Sequence, residues 1–191
     1  MDFFNHIKTV ISIILGLSIG CLLNGSVKFV QHPGRTKPYW VHLLWVFYLF
    51  LLMIHFWWWE YNLREVRMWT FTEYIFIIMY IIIYFTSCQL LYPADVKDYE
   101  DDYKNYFYSR KKWLFLLLIL VFFIDIFDTL IKGHEYLEKL MPVYAIRMIS
   151  HISLLGIFAF LKSKRSSLYG AMVLFFIVFE LYFIFSKFYN D

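Results

Sequence analysis

Charge and cysteine are both scarce in this sequence. Charged residues make up 17% of its 191 positions. That leaves no stretch suited to a soluble module of useful size, and residues 1–191 read as a single polytopic membrane domain. The two cysteines, Cys21 and Cys88, have no CxxC spacing and no histidine beside them. A disulfide or a cysteine-held metal is therefore not expected, and both read as small buried apolar residues. HExxH, HxxxH and CxxCH are all missing. Basic residues do not cluster in a way that suits nucleic acid. No small-residue cleavage site follows the first apolar run, so a cleavable signal peptide is not expected.

What is present is apolar and aromatic: 61% hydrophobic and 24% aromatic residues, with a mean hydropathy of +0.59. Charges punctuate six long apolar segments. Lys8 to Lys28 encloses 19 residues, Lys37 to Glu60 22, and Arg67 to Asp95 27. Lys112 to Lys132 encloses 19, Lys139 to Lys162 22, and Arg165 to Lys187 21. Each is near the ~20 residues that a spanning helix needs. The reading is an all-α integral membrane protein, a bundle of six transmembrane helices. They cover residues about 7–30, 39–60, 69–93, 112–132, 141–162 and 167–188.

Eleven Lys and Arg fall in the connections after the first, third and fifth segments, against six on the opposite side. Basic residues favour the cytoplasmic side, so both termini are expected outside. In outline the chain resembles bacterial six-helix membrane proteins. That resemblance implies an inner (plasma) membrane and carries no activity.

Ser12, Gly16, Gly20 and Asn24 recur at four-residue spacing along the first segment. Small residues so placed allow close helix packing, inside the bundle or against a second copy, and a homodimer is expected. In QHPGRTKP, Pro33-Gly34 breaks the first helix and Pro38 restarts the next. Trp57, Trp58 and Trp59 sit where an aromatic belt belongs. The connection after the third segment reads as a short amphipathic interfacial helix. There Tyr99, Tyr103, Tyr106 and Phe107 recur at i, i+4, i+7 and i+8.

The chemistry lies in ionisable residues inside the apolar runs. Asp125 and Asp128 share one helix face, and Arg147 and His151 share another across a short connection. An Asp125 or Asp128 pair with Arg147 is expected. Glu73, Glu180 and His55 join them in the half of the bundle that carries the termini. An ionisable group in hydrocarbon costs about 2.5–3.5 kcal/mol on insertion scales, so such residues are paired or functional. Four acids against one arginine leave excess negative charge, which points to protons or small cations as ligands.

A cation or proton channel or transporter, with an acidic polar cavity open to the outside, is the first reading. A non-catalytic binding or assembly subunit, its charges serving as interhelical glue, is the second. A membrane metal or haem enzyme using His55 and His151 is the third, although no cofactor is expected because carboxylate–histidine sets are generic.

Overall fold

The computed structural model of the protein describes residues 3–66 and 69–188. Arg67, one of the six basic residues on the sparser side, lies outside the described residues. Among the described residues seven α-helices follow one another: α1 (Phe3–Gln31), α2 (Trp40–Trp59), α3 (Phe71–Gln89), α4 (Tyr103–Ile131), α5 (His134–Leu140), α6 (Val143–Phe160) and α7 (Ser166–Phe188). Six of these, all but the seven-residue α5, are long and apolar enough to cross a membrane.

The helix α2 has no charged residue between Val41 and Trp59, and it is apolar on every side. A helix of that kind belongs in the interior. It is the most buried of the six, packed against α1, α3, α4 and α7. Around it, α4 lies along α6 and α1 along α3.

Local chemistry sets the helix ends. Thr70 and Glu73 form a reciprocal capping box at the start of α3. Asp102 accepts from the Lys104 amide at 2.7 Å to begin α4. Gly133, at φ +114°, follows the end of α4 in a conformation that a side chain would strain.

The connections after α1, α3 and α6 meet at one end. Lys37 N donates to Asp101 O at 2.7 Å, and Tyr103 N to Lys37 O at 3.1 Å. The Tyr108 hydroxyl donates to Lys164 O at 3.0 Å. Lys111 Nζ donates to Phe158 O and Leu161 O, at 2.9 and 2.8 Å, closing the carbonyl end of α6.

Two expectations change here. The tyrosine-rich connection does not form a separate helix: Lys97–Tyr99 is one 3₁₀ turn, and α4 runs unbroken for 29 residues from Tyr103. Tyr103, Tyr106 and Phe107 are buried against the protein, with the Tyr106 hydroxyl on Leu90 O at 2.6 Å. Their apolar stripe is in phase with the segment that follows, so it lengthens that helix. The small-residue stripe of α1 is also not inside the bundle. Ser12, Gly16 and Asn24 are exposed, and a Cβ at Gly16 or Gly20 would meet nothing within 4 Å. Instead α1 packs through Ile7, Ile11, Leu15 and Leu22. Gly25 lets the Tyr92 ring approach, and Ser26 Oγ meets its hydroxyl at 2.8 Å.

Candidate functional site: a buried ionic network

Ionisable side chains from α2, α4, α6 and α7 converge in the half of the bundle nearest the termini. The central unit is Arg147 of α6. Its Nε donates to Glu180 Oε2 at 2.8 Å and its Nη2 to Glu180 Oε1 at 3.1 Å, a forked contact. His55 Nδ1 of α2 donates to the same Glu180 Oε1. Phe122 and Phe183 lie against the guanidinium, each ring centre 5.1 Å away. Arg147 Nη1 also stands 3.8 Å from Asp125 Oδ2. The arginine is therefore held first by Glu180 and only second by Asp125. Asp128 pairs elsewhere.

Asp125 is satisfied chiefly by phenols. Tyr80 of α3 donates to Oδ1 at 3.0 Å, and Tyr144 of α6 to Oδ2 at 2.9 Å. Thr129, one turn on, donates to the Asp125 carbonyl at 2.8 Å, and its Oγ1 lies 3.1 Å from the Tyr144 hydroxyl. Asp125 thus joins three helices without needing a full positive partner.

A second unit lies one turn nearer the end of α4. Lys132 Nζ donates to Asp128 Oδ2, four residues back, and to Glu60 Oε1 at 2.9 Å. Trp59 Nε1 donates to Asp128 Oδ2 at 3.1 Å. Burial pushes the Lys132 pKa down, but the Asp128 and Glu60 carboxylates outweigh it and hold the pKa above the ordinary lysine value. Two buried carboxylate oxygens, Asp128 Oδ1 and Glu60 Oε2, have no hydrogen-bond partner.

His151 sits deeper. Its Nδ1 donates to Arg147 O at 2.8 Å, and its ring stacks on Phe176 at 4.2 Å. Its Nε2 is buried without a partner. Below it Trp45, Tyr48, Phe115 and Phe176 fill the interior.

Of the residues singled out from the sequence, Asp125, Asp128, Arg147, Glu180 and His55 meet in this network, with His151 at its foot. Glu73 does not join them. It caps α3, accepting from Thr70 N at 2.8 Å, because three residues after a threonine cap is where that bond forms. Glu60 and Lys132 had served only to mark the ends of apolar segments. The Asp128/Lys132 spacing of four was the signal for Lys132; Glu60, reached across 72 residues, left no comparable trace. The site is packed solid: Asp128, Glu180 and His151 are fully buried. Around Arg147 and Glu180 side chains fill the space where an open cavity was expected, while Glu60, at the edge of the network, borders a cavity on its α1 side.

His55 and His151 are each engaged separately, on Glu180 and on the Arg147 carbonyl. Among the described residues no group of three or more His, Cys, Asp or Glu has a metal-holding arrangement.

What the network can do follows from its charge. Arg147 serves both Glu180 and Asp125, and Lys132 both Asp128 and Glu60. With one base to two carboxyls the second unit has room for a proton or a cation, beside the two oxygens that have no partner among the described residues. No family model, curated protein or solved structure matches the chain.

Proposed function

We propose that the chain is an integral membrane protein, both termini outside, that moves protons or small cations through the buried network in its outer half. The observation that carries this reading is that two buried carboxyls, Glu60 and Asp128, share the single Lys132, beside a second buried unit of Arg147, Glu180 and His55. A proton or monovalent cation held there would complete the balance. Hydrogen-bonded carboxylates, a histidine and tyrosines in series suit proton hopping better than a hydrated ion, because the side chains fill the space. Asp128 would hold or release the proton beside Lys132. Glu180, Arg147 and His55 would relay the resulting change in charge to His151.

A second reading has its own support. The forked Arg147–Glu180 contact ties α6 to α7 and, through His55, to α2, which is what interhelical glue would look like.

Proton flux driven by a pH gradient, in vesicles holding the purified protein, separates the two. We expect flux above that of empty vesicles, reduced at least ~10-fold in Glu180→Gln or Asp128→Asn, with the variants still folded by thermal melting. Flux equal to empty vesicles under every gradient leaves the assembly reading in its place.

A further inference from the structure

Glu60 belongs to the network and also lines a cavity. The cavity holds about 390 Å³ between α1 and the end of α2, with Ile11, Trp57, Trp58 and Tyr61 among its walls and the exposed Lys8 beside them. Glu60 is only 4% exposed, yet its Oε2 has no hydrogen-bond partner. Trp58 and Tyr61 are more than half exposed, at 55% and 52%. A nearly dry carboxylate at the back of an aromatic-walled cavity is the chemistry of an ammonium site. The carboxylate supplies charge, and the ring faces supply the cation–π attraction that favours indole most.

From this we infer that the cavity is a binding site for an organic ammonium cation, one with an apolar portion against the tryptophans and its charge directed at Glu60. The geometry agrees, since Glu60 and Asp128 share the single Lys132, and a bound cation would give Glu60 a partner of its own. The nearby cations do not already supply it. Arg64 lies over the Tyr61 ring at 4.1 Å but is paired with Glu65 at 2.9 Å, and Lys8 is exposed with no ion-pair partner among the described residues. An anion is disfavoured by the buried carboxylate. A zwitterion would need Lys8 as its second anchor, which makes Lys8 the residue that tells the two apart.

The inference uses the same shared Lys132 as the proposed transport, but its test reads binding and not flux. The two can therefore fail separately. The probe is benzyltrimethylammonium, titrated calorimetrically into the full chain in phosphatidylglycerol nanodiscs, which carry no ammonium headgroup. Neopentylbenzene, its uncharged isostere, is the control.

We expect saturable binding of the cation and none of the isostere. Glu60→Gln should weaken binding at least ~10-fold through loss of the charge. Trp58→Leu, outside the network, should weaken it ~3- to 30-fold through loss of the ring. Lys8→Ala should leave affinity unchanged or raise it. Phosphatidylcholine nanodiscs identify the source: weaker apparent affinity there marks a lipid headgroup as an occupant, and unchanged affinity a free cation. Equal binding of the isostere, or full affinity in both Glu60→Gln and Trp58→Leu, overturns the site. Tighter binding of the zwitterion N,N,N-trimethylphenylalanine than of benzyltrimethylammonium, lost in Lys8→Ala, overturns the cation in favour of a zwitterion. If Glu60→Gln does not fold, Trp58→Leu and the isostere still decide.

Discussion

The two halves of this bundle handle polar groups in opposite ways. Toward the termini, charged side chains from four helices answer one another: Arg147 with Glu180 and Asp125, Lys132 with Asp128 and Glu60. Toward the other end, polar side chains are turned on the backbone. Tyr106, Tyr108 and Lys111 donate to carbonyls of Leu90, Lys164, Phe158 and Leu161, and His42 Nε2 donates to Leu91 O at 2.7 Å. Between them lies the aromatic layer of Trp45, Tyr48, Phe115 and Phe176. The difference teaches where chemistry can reside. A side chain that closes a helix end is satisfied by a fixed dipole and has no freedom to change its charge. One that balances another side chain responds whenever its partner gains or loses a proton.

The sharpest way to break this contrast is to remove a cation from the first half. Arg147→Met strands Glu180, His55 and Asp125, and losing one partner of a buried pair costs ~3–5 kcal/mol. The double variant Arg147→Met/Glu180→Gln should be milder by more than ~1 kcal/mol, the scale of coupling between contacting residues. Arg147→Met/Asp125→Asn should recover less, since Asp125 has its two tyrosines. Denaturant unfolding in mixed micelles measures all three. Equal recovery in both doubles would mean that Glu180 is not the principal partner.

Lys132 sharpens the comparison by pH. Its folded pKa lies above that of the unfolded chain, so its ion pairs contribute fully below the ordinary lysine value. The contribution falls away as pH rises above about 10.5, through the folded pKa. Thermal melting across that range should show a steeper alkaline loss for the wild type than for Lys132→Met/Asp128→Asn. Parallel curves would leave the alkaline loss to other groups.

In the second half, Tyr108→Phe removes the hydroxyl bonded to the Lys164 carbonyl and to the Tyr39 hydroxyl and should cost about 0.5–1.5 kcal/mol for each bond, with proton flux unchanged. A flux change would show that the network reaches further than its contacts do. Smallest of all, Gly16→Leu and Gly20→Leu should leave monomer stability within ~0.5 kcal/mol, since a Cβ at either meets nothing. Light scattering of these variants then tests the expected homodimer. If the outward stripe joins two copies, the leucines should shift the population to monomer. An unchanged mass would take the stripe out of the interface.

Six spanning-length helices were legible in the sequence because apolar run length is a one-dimensional property. A predominantly apolar stretch of 19 or more residues has few other folds open to it. Asp125, Asp128, Arg147, Glu180 and His55 were legible as a group for a similar reason, as ionisable residues where apolar ones belong. Their partners were not. Asp125 sits 22 residues from Arg147 and Glu180 33 from it, and sequence spacing ranks neither. The tertiary structure decides it by placing α7 on α2 and α6 together, so that a forked acceptor faces the guanidinium. Glu73 is the opposite case, since its distance from Thr70 committed it to a cap before any packing occurred. Glu60 and its contact with Lys132 again needed the fold, because both look like boundary charges until the ends of α2 and α4 are brought together. Helix length and composition are local, and the sequence alone determined them. The identity of each buried partner depends on how helices rotate against their neighbours, and only the packed bundle sets that rotation.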